Sequence, residues 1–361
     1  MVTGTELARD RRALWPGSVI DVDVHAVVPS IQALYPYLPE VWQEYIDERE
    51  WAGPPDTYTY PPALGASVRS EFRPSGQVAA SSVDLLRRHV LDPWNVDAAI
   101  INCLYPIDSG HPYLSAAMAS AVNDWLIAEW LEADGRLRAS IVLPVRDPAL
   151  MVAEVERVGA HPGFVQALTP VRSGRLYGNP GYQPFLEALA QHDLVMGLHM
   201  GGINDGDPPT PSGWPSWYVE EYAADIQIYQ AQIASLLAHG AFQRLDSLRV
   251  SVLEAGFLWV PAYLWRLDKE WKGLRRDTPW LDRPPSAIIR DHVRFATSPM
   301  DLGPLEAVRT GIGWLGSDDM LMFSTDYPHA HADDLPTLLA ASSEAGRSNM
   351  MAEAARRWYR L

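Results

Sequence analysis

Chemistry-bearing side chains in this sequence stand out first in Val19-Ile20-Asp21-Val22-Asp23-Val24-His25. β-Branched residues alternate there with two carboxylates and a histidine, the pattern of a buried strand. Successive strand side chains point to opposite faces, so Asp21, Asp23 and His25 are expected to share one. A carboxylate buried without a partner costs roughly several kcal/mol or more. Two of them beside a histidine ask for a cation, and a metal held by Asp23 and His25 supplies it. Solvated carboxylates on an edge strand are the competing reading. Three later residues have the same character: His199, followed by Gly201-Gly202; Glu254; and Asp326, followed by Tyr327-Pro328-His329. Together, Asp23, His25, His199 and Asp326 offer two imidazoles and two carboxylates. That set suits Zn²⁺, or alternatively Mn²⁺, and leaves room for water or substrate. Taken singly, His199 also fits a core histidine bonded to backbone, and Asp326 a cap or turn before Pro328.

Such a set forms only if the chain brings its members to one point. Strands are expected at 19–25, 98–104, 138–145, 163–169, 194–199, 248–254, 292–298 and 320–325. Helices are expected at 41–50, 82–89 (capped by Ser81 or Ser82), 111–133, 148–158, 180–192, 219–239, 257–272 and 302–311. A helical tail from Asp334 to Leu361 is broken by Gly346. Alternating β and α elements imply a parallel sheet, and eight units at this length imply a single distorted (β/α)8 TIM barrel. An open doubly wound sheet is the runner-up, and no Gly-x-Gly-x-x-Gly follows the first strand to support a dinucleotide site. The chain reads as one domain, 1–361, with insertions after strands 1 and 5 at about 26–97 and 203–217.

Active sites of such barrels lie at the C-terminal ends of the strands. His25 with Asp23, Asn102, Thr169, His199, Glu254 and Asp326 end expected strands. Arg172 and Arg175 follow strand 4 and can clamp a substrate carboxylate by paired hydrogen bonds. Asn102 and Trp214 complete the expected substrate-binding set. Trp214 and Trp217 can form an aromatic lid. Trp42, Trp51 and Tyr60 can do the same or face a partner subunit. His329 and His331 can face the cleft, and His239, on a helix, is read as structural.

Bulk properties narrow the partners. The 361 residues carry 29 Lys+Arg against 45 Asp+Glu, a net charge of −16. That argues against nucleic acid or an anionic membrane. One cysteine, Cys103, excludes an intramolecular disulfide and a Cys-rich zinc site. No apolar run approaches the ~18 residues of a membrane span. Met1 to Trp15 lacks the apolar centre of a signal peptide. A cytoplasmic protein with a small-molecule substrate is expected.

The motifs resemble the amidohydrolase-related metal enzymes typified by aminocarboxymuconate-semialdehyde, γ-resorcylate and 5-carboxyvanillate decarboxylases. The resemblance covers nearly the whole chain. It is carried by Ile20–His25 with Pro29 behind it, by Leu198-His199-Met200-Gly201-Gly202, and by Phe323-Ser324-Thr325-Asp326-Tyr327-Pro328-His329. It implies Asp23, His25, His199 and Asp326 as ligands to one divalent ion, a role for His329, and a homodimer or larger assembly. Asp23-x-His25 is close to the Glu-x-His form of several non-oxidative decarboxylases. One departure matters. Glu254 stands where the family places a catalytic histidine, and can carry a proton, bind metal or make an ion pair. The expected activity is metal-dependent decarboxylation of an aromatic or unsaturated carboxylic acid, with Asp326 or Glu254 as the acid. The alternatives are hydrolysis of an amide, ester or lactone by metal-activated water, and a non-catalytic binding protein on the same barrel.

Overall fold

A computed structural model describes residues 11–53, 68–73, 75–103, 105, 107, 109–202 and 213–361. Eight parallel strands follow in chain order around one sheet: β1 Ile20–Val24, β2 Ala98–Ile101, β3 Leu137–Ile141, β4 Phe164–Arg172, β5 Val195–Gly202, β6 Arg249–Val252, β7 Val293–Ala296 and β8 Leu321–Met322. The expected barrel is the observed one. β1 and the end of β8 close it through Val22 N–H to Phe323 O (3.0 Å), Asp326 N–H to Asp23 O (3.0 Å) and His25 N–H to Tyr327 O (2.8 Å). Every residue of β1 is buried, as a strand covered on both faces requires.

Ile20, Val22, Ile100, Val195, Leu253 and Met322 pack together inside the barrel. Trp358 and Tyr359, from the last helix Ala354–Tyr359, belong to the same cluster and fill the barrel. Outside it, helices cover the sheet and start where their sequences say. Pro148–Val158 begins with proline at its first position, and the Asp147 carboxylate accepts from Ala149 and Leu150 N–H. Ser82 caps the helix that begins at Val83.

Several expected boundaries move. β4 runs past Thr169 to Arg172, whereas β2 stops at Ile101, so Asn102 lies just beyond it. The helix expected over 219–239 is two, Tyr218–Ala224 and Ile226–Ala238, meeting at Asp225. His239 follows the second, and its carbonyl accepts from Arg244. The tail breaks at Ser342, ahead of Gly346, which lies inside the helix Glu344–Ser348. Pro285–His292 is a helix the sequence did not announce, because its eight residues open on Pro284-Pro285 and read as a loop. Tyr60 and most of the 203–217 insertion fall outside the described residues. Among the described residues no helix is long and apolar enough to cross a membrane.

Trp358→Ala removes a buried anchor of the barrel interior and is expected to cost about 3–5 kcal/mol of stability. Denaturant unfolding followed by tryptophan-independent circular dichroism measures it.

Candidate metal centre

The closing hydrogen bonds of the barrel bring residues from its first and last strands together. One donor atom from each of Asp23, His25, His199 and Asp326 lies within 4.8 Å of the others. His25 Nε2 is 2.6 Å from Asp326 Oδ1 and 3.8 Å from Asp23 Oδ1, and His199 Nε2 is 3.4 Å from Asp23 Oδ2. Two ligands at about 2.1 Å from a shared ion stand at most about 4.2 Å apart, so these three pairs fit one cation. All four side chains are almost fully buried.

Backbone carbonyls fix both imidazoles. His25 Nδ1 donates to Asn102 O at 2.8 Å and His199 Nδ1 to Met200 O at 2.9 Å. Each ring therefore presents its Nε2 to the cluster. Asp23 Oδ2 and His199 Nε2 are buried and have no hydrogen-bond partner among the described residues. Unsatisfied atoms of this kind are rare in a folded interior. Facing each other, they are a ready pair of ligands for a divalent ion.

Electrostatics agree. Burial pushes the His199 imidazolium down, but Asp23 and Glu254 outweigh it and carry its pKa to about 10. His329 rises to about 9 in the same way, with Asp326 overcoming burial. Burial also opposes ionisation of Asp326. His329, His25 and His331 nevertheless hold it well below the usual carboxylate range. The pocket selects for positive charge, whether a proton or a metal.

A second group flanks the first on the solvent side. Glu254, Asp326, His329 and His331 also offer donor atoms within 4.8 Å of one another. His329 Nδ1 is 3.1 Å from both Asp326 oxygens, and His331 Nε2 bonds Oδ2. Glu254 Oε2 is 3.7 Å from His199 Nδ1, and Glu254 Oε1 accepts from Tyr222 O–H at 2.5 Å. Burial raises the Glu254 pKa, and the nearby Asp326 charge adds to that. Glu254 and Asp326 also share a backbone feature, left-handed φ values of 52° and 51°. A non-glycine residue held there costs of order 1–3 kcal/mol, and such strain clusters at functional sites.

Other sequence expectations are corrected. Asp21 does not join the cluster; its carboxylate accepts from Thr325 N–H (3.1 Å) and Oγ1–H (2.7 Å). Thr169 is fully buried and donates to Gly197 O. Asn102, expected at the substrate, is bonded into the barrel interior. It is fully buried, its Nδ2 donates to Asp23 Oδ1 at 2.8 Å, and its Oδ1 accepts from Ser140 and Gln166. Arg172, expected as a clamp, has carboxylate partners within the chain. It is buried in an ion-pair cluster with Glu221 and Asp225, the latter at 2.8 Å. Arg175 is exposed and, with Arg146, Asp147 and Asn179, lines a separate cavity of about 420 Å³ that none of the four convergent residues touches. Trp214 and Trp217 are exposed at 46% and 69%. Trp42 packs against Tyr45 and His111, and Trp51 against the core.

Sequence reasoning missed Tyr222, Ser140 and Gln166. Tyr222 carried no signal, since a tyrosine on a helix is unremarkable. Ser140 and Gln166 did: each is a polar residue on an apolar strand, the clue that exposed Asp23.

Gamma-resorcylate decarboxylase of Rhizobium sp. is 25% identical over 296 residues, spanning 76% of this chain and 86% of the relative. Decarboxylase orsB of Emericella nidulans is 25% identical over 299 residues, spanning 76% and 84%. Among solved structures, a dihydroxybenzoic acid decarboxylase from Polaromonas sp., with bound manganese and the inhibitor 2-nitroresorcinol, superposes with a TM-score of 0.67. It is 20% identical and the match covers 96% of this chain and 97% of that one. A 2,6-dihydroxybenzoate decarboxylase complexed with 2,6-dihydroxybenzoate gives 0.66 at 20% identity, covering 95% and 99%. The amidohydrolase family model matches residues 20–361, and the chain belongs to that family.

Proposed function

We propose that Asp23, His25, His199 and Asp326 hold one divalent cation, Zn²⁺ or Mn²⁺, and that the enzyme removes CO2 from a hydroxylated aromatic carboxylic acid without a redox cofactor. The observation that carries this reading is the facing pair of unsatisfied atoms, Asp23 Oδ2 and His199 Nε2, inside a buried set of four donors. The activities of the relatives, and the manganese in the Polaromonas neighbour, support it. An ion bound there supplies a Lewis acid for the substrate's carboxylate and neighbouring hydroxyl oxygens.

The chain's own residues supply the rest. Arg172 is ion-paired with Glu221 and Asp225. Orientation of the substrate therefore falls to the metal centre and to His329 and His331, whose side chains are 22% and 13% exposed at its outer side. Glu254 and Asp326 divide the proton chemistry by environment. Asp326 is held as an anion by three imidazoles and suits a ligand. Glu254 is pushed toward its protonated form and suits an acid. Its proton passes to the ring carbon that bears the carboxylate. The C–C bond then breaks, its electron pair returns to the ring, and CO2 leaves. The Glu254 carboxylate so formed lies near the imidazolium of His329, which favours it.

The decisive assay incubates metal-loaded protein with a panel of dihydroxybenzoates in deuterated water. CO2 release with one deuterium at the vacated ring position is expected. Hydrolysis of aryl amides or esters, with no CO2 from any benzoate, would replace this reading with a hydrolase. Elemental analysis of His199→Ala is expected to find less than about a tenth of the parent's bound metal. Glu254→Gln keeps the Tyr222 contact and is expected to lose about 10²–10⁴ in kcat with metal content unchanged; loss of metal would make Glu254 a ligand.

A further inference from the structure

The interior of the barrel holds more polar groups than its metal centre uses. Layers of branched apolar side chains usually fill such a barrel. Here Ser140, Gln166 and Ser251 lie on β3, β4 and β6 with no exposed surface. Each is costly there unless every polar atom is paired.

They are paired in one continuous column. Trp358 Nε1–H donates to Ser251 Oγ at 3.1 Å, and Ser251 Oγ lies 2.7 Å from the Tyr359 hydroxyl. Tyr359 O–H donates to Gln166 Oε1 at 2.8 Å. Gln166 Nε2 donates to Ser140 Oγ at 2.8 Å and to Asn102 Oδ1 at 3.1 Å. Ser140 Oγ–H donates to the same Asn102 oxygen at 2.5 Å. Asn102 Nδ2 then donates to Asp23 Oδ1 at 2.8 Å.

The direction of this column is forced at both ends. An indole N–H only donates, and a carboxylate only accepts. A flipped Gln166 would turn its oxygen toward Asn102 Oδ1. Asn102 would have to flip in answer, setting its oxygen against Asp23 Oδ1. Only one orientation of the two amides satisfies every member. The backbone makes room for it: a Cβ on Gly197 would stand 2.6 Å from Gln166 Cδ.

We infer that this column orients Asp23, and that Tyr359 and Gln166 are positioning residues through which the docked C-terminal helix sets the affinity of the metal centre. Asn102 is the member that touches the ligand, and its backbone carbonyl also fixes the His25 ring. Tyr359 acts three hydrogen bonds away. The inference rests on Asp23 being a metal ligand.

The test measures Mn²⁺ affinity of the full chain by competition with a chelating indicator, beside the unfolding temperature. Tyr359→Phe deletes one hydroxyl, and Gln166→Met keeps the volume while removing the amide. Each is expected to weaken Mn²⁺ binding about tenfold or more. The double variant is expected to bind no worse than Gln166→Met alone, because the column is already cut. Leu338→Ala, in a buried position of the helix Leu335–Ala341, is the control: an equal or larger fall in unfolding temperature, with Mn²⁺ affinity within about twofold of the parent. Tyr359→Phe and Gln166→Met binding like the parent, additive losses in the double variant, or an equal loss in Leu338→Ala would each overturn the inference. Gln166→Met alone decides the matter if Tyr359→Phe does not fold. A parent that binds no Mn²⁺ or Zn²⁺ would remove the metal centre itself, and is told apart from those outcomes by the parent titration.

Discussion

Backbone hydrogen bonds close the barrel, and two of them are made by residues whose side chains converge on one point. Asp326 N–H bonds Asp23 O, and His25 N–H bonds Tyr327 O. Closure therefore sets the separation of His25 and Asp326 directly, with no intervening loop to relax it. His25 Nε2 and Asp326 Oδ1 meet across 301 residues of sequence. A ligand set drawn from both sides of such a seam is as rigid as the sheet. The left-handed backbone at Asp326 belongs to this arrangement: its cost is tolerated because the sheet on either side dictates the conformation.

Charge is the second constraint. Asp23, Asp326 and Glu254 lie in one buried pocket, and carboxylates so close cannot all ionise without compensation. The imidazoles of His25, His199, His329 and His331 surround them. Just beyond, Arg172 is matched by Glu221 and Asp225, so its charge is spent on the helices that follow β5. That pairing ties Tyr222, which bonds Glu254, to the same scaffold. Glu254 stands past the end of β6, with its setting built on β4 and the two helices after β5, while Asp23, His25, His199 and Asp326 come from β1, β5 and the segment after β8.

Much of this was legible before any coordinates. Strand and helix periodicities gave eight alternating units, and the rule that barrel chemistry sits at strand ends picked out Asp23, His25, His199, Glu254 and Asp326. What stayed hidden depended on partners far apart in sequence. Arg172 read as a substrate clamp because Glu221 and Asp225, roughly fifty residues on, gave no sign of folding back over it. Asn102 read as a substrate contact because a strand end says nothing about whether an amide points to solvent or into the barrel. Asp21 shares the alternation of Asp23 and His25, yet Thr325 on the closing strand takes its carboxylate. The helical tail was visible, but an apolar helix is the same string whether it lies outside a barrel or fills its interior.

That first and last strands must meet has a consequence for how the molecule is made. At roughly 5–20 residues per second of synthesis, the ribosome adds Asp326 on the order of 15–60 seconds after His25. For that interval β1 can pair with β2 on one side, while its other edge waits for the end of β8. The final helix, whose Trp358 and Tyr359 pack into the barrel interior, is made last of all.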